Sequence, residues 1–212
     1  MSQPLLTFEE ALSRVENFLS TSTQRVIIGI VGKPGAGKST LSDFLMQNLP
    51  SGLVALVPMD GYHLSNKVLN KTGKIARKGA PDTFDARGYS DLLKTITVSS
   101  ETIYFPIFHR EIEESIAAEG QISAETKVVI TEGNYLLHQS DGWQMVRDFL
   151  TEAWYVEVDD GLRLERLVDR HELFGKERAA AIDWAHGTDE KNAQLVEASK
   201  VLADFLVLNT DK

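Results

Sequence analysis

Apolar and polar positions follow two periods along this chain. Leu12, Val15, Phe18 and Leu19 recur at helical spacing behind Thr7-Phe8-Glu9-Glu10, which has the form of a capping box. That predicts an amphipathic helix over 7–20. Val26-Ile27-Ile28-Gly29-Ile30-Val31 follows as an almost continuous β-branched run. Such a run reads as a strand buried on both faces, as in a parallel sheet. The same reading predicts further strands at 53–57, 102–105, 127–131, 153–158 and 204–208. It places helices at 38–48, 89–97, 141–151, 161–172, 176–185 and 189–202. Strand alternating with helix predicts a three-layer α/β/α sandwich around a mostly parallel sheet. The stretch 60–88, rich in Gly, Lys, Asp and Pro, has neither period. A long loop in a compact domain is usually functional.

Composition narrows this picture. A length of 212 residues suits one domain, 1–212, with 42% hydrophobic residues to form its core. There is no cysteine, which excludes disulfides and thiolate metal sites. The net charge of −9 argues against nucleic acid as a main partner. No apolar run is long enough for a bilayer, and the first residues lack the basic start and apolar stretch of a signal peptide. A cytoplasmic location with no membrane partner is the expectation.

The strongest motif is Gly32-Lys33-Pro34-Gly35-Ala36-Gly37-Lys38-Ser39, a complete G-x-x-x-x-G-K-[ST]. A buried strand runs into it and a helical pattern, which takes in Thr40, runs out. Glycines let backbone N–H groups curl around phosphate oxygens, and the helix that follows turns its positive end towards the anion. In this geometry residues 32–40 hold a nucleoside triphosphate, Lys38 reaches the β- and γ-phosphates, and Ser39 ligates Mg²⁺. ATP and Mg²⁺ are therefore the expected cofactors.

The motif leaves the use of the nucleotide open. A GTPase would carry N-K-x-D, but Asn66-Lys67-Val68-Leu69 lacks the Asp. Asp85-Ala86-Arg87-Gly88 has the D-x-x-G form, a pattern short enough to arise by chance. A small-molecule kinase needs a carboxylate for the acceptor hydroxyl and cations over the moving phosphoryl group. Asp60 meets the first need, because strand ends line the ligand crevice of such sheets. A helix-capping Asp is the alternative. Glu132, delivered by another strand, suits the Mg²⁺ shell, with a purely structural Glu as the alternative. Arg163, Arg166 and Arg170 share one helix face. Arg166 and Arg170 are the candidates for phosphoryl contact, since His171-Glu172-Leu173-Phe174-Gly175-Lys176 reads as the start of a lid with a Gly hinge, reaching to about 188. For Arg163, pairing with neighbouring acids is as good a reading. His63 and His109 read equally as structural histidines, and Trp143, Trp154 and Trp184 as packing residues.

In order, GKPGAGKST, MDGYH, KGAPDTFD and EGNYLL resemble the phosphoribulokinase, uridine kinase and bacterial pantothenate kinase family over about residues 24–208. The likeness is greatest to a branch of small bacterial kinases labelled fructokinase-like or nucleoside-kinase-like. The resemblance implies Asp60 as catalytic base, Glu132 with Gly133 as the family's E-G pair, and Arg166 and Arg170 as lid arginines. It implies an acceptor site around the 60–88 loop that includes Asp60, Tyr62, His63, Lys78, Phe84, Asp85, Arg110, Asn134 and Tyr135. His109 stands where the family more often has Asp, and Asn192 falls near the adenine and acceptor region. A sugar or polyol is the implied acceptor, with a nucleoside or pantothenate as alternatives. Dimers are common in the family. A regulatory ATPase with no small acceptor is the reading from another class.

Overall fold

The computed structural model describes residues 3–209. The first helix, α1 (Phe8–Thr21), begins at the anticipated capping box. Glu10 N–H donates to the Thr7 hydroxyl at 3.2 Å, and Thr7 N–H donates back to the Glu10 carboxylate at 2.8 Å. Such a cap stabilises a helix by about 1 kcal/mol. Strand β1 (Leu5–Leu6), which the sequence reading did not anticipate, precedes it.

The main sheet takes β1, β2 (Val26–Val31), β3 (Val54–Pro58), β6 (Val128–Gly133), β7 (Glu152–Glu157) and β8 (Phe205–Leu208) in the order β1-β8-β7-β2-β6-β3. Every pairing in it is parallel. The alternation of side chains along each strand builds two cores. Ile27, Val31, Val129 and Tyr155 face α4 (Ala86–Val98), meeting Tyr89, Leu93 and Ile96, with Trp143 beside them. Ile28, Ile30, Val128, Ile130 and Trp154 face α1 and α2 (Lys38–Asn48), meeting Ala11, Val15, Leu41 and Leu45. All six residues of β2 are buried. The molecule is thus the expected three-layer α/β/α sandwich. Trp143 and Trp154 are core residues, as anticipated.

The strand expected at 102–105 does not join this sheet. It is part of β4 (Ile103–His109), which pairs antiparallel with β5 (Glu114–Ile122) in a separate hairpin. The sequence of β5 alternates too weakly to signal a strand, because most of its residues are exposed. Its Gly120 makes room for Phe105, whose ring lies 2.3 Å from where a Cβ would stand. The register shifts between Phe105 and Ile107, at a proline that lacks a ladder N–H.

The helix expected over 141–151 is also absent. Two short 3₁₀ turns, Trp143–Met145 and Arg147–Phe149, stand there instead. Asp141 and Gly142 enter them with positive φ, and the Trp143 indole donates to the Pro81 carbonyl at 3.0 Å. Tertiary anchoring has overridden a helical period. The 60–88 stretch is less irregular than expected, since it contains α3 (Asn66–Lys71). After α5 (Asp160–Leu173) come α6 (Arg178–Trp184), a π turn over Ala185–Asp189 and α7 (Glu190–Ser199).

Candidate active site

The sheet order puts the ends of β2, β3 and β6 side by side, and the site grows from these ends. β6 lies between the other two, with Glu132 in register with Ile30 on one side and Pro58 on the other. The loop after β2 enters α2 through Gly37, whose φ is +89°, and no side chain caps that helix. A Cβ on Gly37 would lie 1.9 Å from Asn209 Nδ2, and one on Gly35 would lie 2.7 Å from the Arg163 carbonyl. Positive φ and close approach together explain why glycine stands at both positions. Asn209 Nδ2 donates to the Ala36 carbonyl at 3.0 Å, which ties the loop to the end of β8.

Lys38 curls over the loop and donates to the carbonyls of Gly32 and Lys33 at 3.0 and 3.2 Å. Burial lowers its pKa to about 8, against the opposing pull of Glu132. Ser39 Oγ lies 3.1 Å from both Glu132 oxygens. Burial raises the Glu132 pKa, opposed first by Lys38. A hydroxyl beside a carboxylate is a hard oxygen pair of the kind Mg²⁺ accepts, with water and phosphate oxygens completing its shell. Among the described residues no cluster of three or more His, Cys, Asp or Glu has metal-binding geometry. The residues therefore fit a cation shared with a nucleotide and not a cage made by protein alone.

Asp60 follows β3 in a 3₁₀ turn, Met59–Tyr62. Its carboxylate does not cap that turn but meets Arg110 Nη2 at 3.1 Å. Gly61 lets the turn press against the hairpin, since a Cβ there would lie 2.1 Å from the Pro106 carbonyl oxygen. His63 Nδ1–H donates to the Asp60 carbonyl at 2.8 Å, and burial lowers its pKa, so the ring is neutral at pH 7 with Nε2 as an acceptor.

Lys38, Ser39, Asp60 and Glu132 share one cavity of about 830 Å³. Of the other anticipated residues, His63, Lys78, Phe84, Arg110, Asn134 and Arg170 also line it. Burial lowers the Arg170 pKa, with Arg110 adding to the effect. Arg166 stands at the loop itself, its Nη1 3.5 Å from where a Cβ on Gly37 would be. Arg163 is buried and structural: it binds Asp160 Oδ1 at 2.8 Å, the Pro34 carbonyl at 3.4 Å and the Glu190 carboxylate.

Three anticipated acceptor residues do not reach the cavity. Tyr135 is fully buried and spends its hydroxyl on the Gly79 carbonyl, so it shapes the 77–85 loop from beneath. Asp85 caps α4, accepting from Gly88 N–H at 2.9 Å. Tyr62 packs edge-on against Tyr89. Within the loop motif, Lys33 turns outward to Asp160 at 2.7 Å, and Thr40 is exposed on the first turn of α2. His109 lies outside the cavity, between Glu111 and Glu119 at 2.9 and 2.6 Å.

The cavity also takes in Lys176 of the segment expected to form a lid, and residues that sequence reasoning missed, among them Asn66, Asn70 and Glu113. Only Asn66 and Asn70, one helical turn apart, left a signal. The segment expected to form a lid contains the end of α5, α6 and the π turn. Gly175, at φ +89°, ends α5, and Trp184 carries Lys176 Nζ 4.6 Å from its ring centre. Among the described residues no helix is long and apolar enough to cross a membrane.

No family model matches the chain. A Schizosaccharomyces pombe protein provisionally named a uridine kinase is 29% identical over 212 residues, covering 95% of this chain and 90% of that one. A pantothenate kinase of Levilactobacillus brevis is 30% identical over 163 residues, which is 74% of this chain and 53% of that longer protein. A solved structure from Silicibacter sp., provisionally named a fructose transport system kinase, superposes with a TM-score of 0.84 at 35% identity, covering 95% of this chain and 98% of the other. Together with the phosphate loop and the carboxylates at neighbouring strand ends, these likenesses place the chain in the P-loop kinase family that includes the uridine and pantothenate kinases.

Proposed function

We propose that this protein transfers the γ-phosphate of ATP to a hydroxyl of a small-molecule acceptor, a sugar or polyol. The observation that carries the proposal is that Lys38 and Asp60 line a single cavity, one at the phosphate loop after β2 and the other just past the end of β3, on the far side of β6. The amides of residues 32–40 and the Lys38 ammonium hold the triphosphate. Mg²⁺, held by Ser39 with Glu132 beside it, would supply charge neutralisation on the β- and γ-phosphates. Asp60 accepts the proton of the acceptor hydroxyl as its oxygen bonds to the γ-phosphorus. The bond from that phosphorus to the bridging oxygen breaks and ADP leaves with the electron pair. Arg170, with Arg166 at the loop, offsets the charge spread over the moving group. Among the anticipated acceptor residues, His63, Lys78, Phe84, Arg110 and Asn134 are placed to position the acceptor, while Tyr62, Asp85 and Tyr135 support that wall from behind.

A nucleoside acceptor is the second reading. It is favoured by the His63 ring lying 4.0 Å from Phe84 and 4.5 Å from Phe108, a surface on which a base can stack. A coupled ADP-release assay over sugars, nucleosides and pantothenate tests both. Acceptor-stimulated release supports a kinase and names its acceptor class. ATP binding without stimulation would instead support a regulatory ATPase.

A further inference from the structure

The wall of the cavity away from the phosphate loop has a charge arrangement of its own. Lys78 reaches into it from the 60–88 loop, with its side chain only 13% exposed. Its ammonium donates to Asn66 Oδ1 at 2.9 Å and to the Glu113 carbonyl, and pairs with Glu113 Oε2 at 3.2 Å. It also sits 5.1 Å from the centre of the Phe108 ring. Glu113 comes from the turn of the β4–β5 hairpin and has a φ of +54°, a left-handed backbone without glycine. That conformation crowds the Cβ against the following carbonyl and is found where surrounding contacts enforce it. The contacts here come from α3. Asn66 N–H donates to the Glu114 carboxylate at 3.0 Å, and Asn66 Nδ2 to the Glu113 carbonyl at 3.2 Å.

We propose that Glu113 is a charge filter for the acceptor: by neutralising Lys78 it suits this wall to a neutral polyhydroxyl compound and against one carrying a carboxylate or phosphate. The proposal rests on the kinase reading and narrows it. A second cation that lines the cavity, Arg110, is paired in the same way with Asp60. An anionic acceptor would meet two cations already paired and two carboxylates of its own sign, a repulsive element of the kind that sets specificity. A hydroxyl meets no such cost, because it donates to a carboxylate or amide oxygen and accepts from an amide or ammonium. Asn66 and Asn70 supply such partners on the same wall.

The test is kcat/KM, by ADP release, for neutral acceptors (D-fructose, D-ribose, glycerol, uridine) and anionic ones (D-gluconate, D-glycerate, pantothenate). The native protein is expected to favour the best neutral acceptor. Glu113→Gln keeps the carbonyl that Asn66 and Lys78 bind and leaves Lys78 unneutralised. It should shift the anionic-to-neutral ratio upward about five- to tenfold, the worth of one half-buried charge contact. Adding Lys78→Met to Glu113→Gln should cancel that gain, which a merely structural role for Glu113 would not do. A native preference for an anionic acceptor overturns the inference and leaves the kinase reading intact. An unchanged ratio in Glu113→Gln, or a gain that survives in the double variant, also overturns it. Should Glu113→Gln fail to fold, the native preference alone decides. No turnover of any acceptor counts against both.

Discussion

Arg110 holds Asp60 in an ion pair, Nη2 to Oδ2 at 3.1 Å, on the lining of the cavity. The side chains are 46% and 35% exposed, so the pair contributes at most about 1 kcal/mol. That is little enough for an acceptor hydroxyl to displace it. The pair thus holds the Asp60 carboxylate in place within the cavity.

The role proposed for Asp60 gives the first prediction. Asp60→Asn keeps the size of the side chain and removes the base. It is expected to lower kcat by roughly 10²–10⁴ while ATP affinity holds. Single-turnover transfer with an independent ATP-binding titration checks this, and an undiminished kcat would move the base elsewhere.

Lys38 makes a prediction about protons. Its pKa is about 8 in the folded, ligand-free protein against 10.5 ordinarily. Between these values the unfolded chain binds more protons, so the lysine's burial penalty is full below about pH 8 and is relieved as pH rises towards 10.5. A triphosphate beside the ammonium restores the proton. Binding of ATP near pH 8.5 is therefore expected to take up as much as about three quarters of a proton, and binding near pH 6.5 to take up almost none through Lys38. Calorimetry in two buffers of different ionisation enthalpy measures this. Lys38→Met should abolish the uptake, and buffer-independent heats in the native protein would contradict the assignment.

Gly61 is where the turn that carries Asp60 touches the hairpin. Gly61→Ala would set a methyl group 2.1 Å from the Pro106 carbonyl oxygen, a backbone atom that cannot swing aside. A cost of about 1–3 kcal/mol is expected from the forced shift. Transfer should fall much more than ATP affinity, since the turn carries Asp60 and not the phosphate loop. Denaturant titration and the kcat-to-Kd comparison check both parts.

Arg163 fastens the phosphate loop to α5 and α7 through Pro34, Asp160 and Glu190. Arg163→Met fills the space without the charge. Its partners retain some access to water, so the expected loss is about 1–3 kcal/mol, below that of a fully buried pair. Thermal unfolding should show the loss, and ATP affinity should weaken with it. An unchanged Tm would mean that the clamp carries no weight.

The main sheet was legible because its strands are buried on both faces and their composition says so. Val26–Val31 and Val128–Gly133 could be read as strands with little ambiguity. The phosphate loop and Asp60 were legible because short motifs fix them to strand ends. The wall around Lys78 was legible only in part: the motif stretches named Lys78, but Asn66 and Glu113 join it only because the hairpin docks on α3. Tyr135 misled because a motif position names a residue without saying which way its side chain points. Its hydroxyl turned out to be bound to Gly79 beneath the loop.

The most direct test of the central claim follows the phosphate itself. The protein is incubated with Mg²⁺, ATP labelled at the γ-phosphorus and the acceptor panel above, and the products are separated. The account predicts label in a phosphate ester of a neutral polyhydroxyl acceptor, formed in step with ADP and lost in Asp60→Asn. Label recovered only in ATP, or only in inorganic phosphate whatever acceptor is supplied, would contradict it.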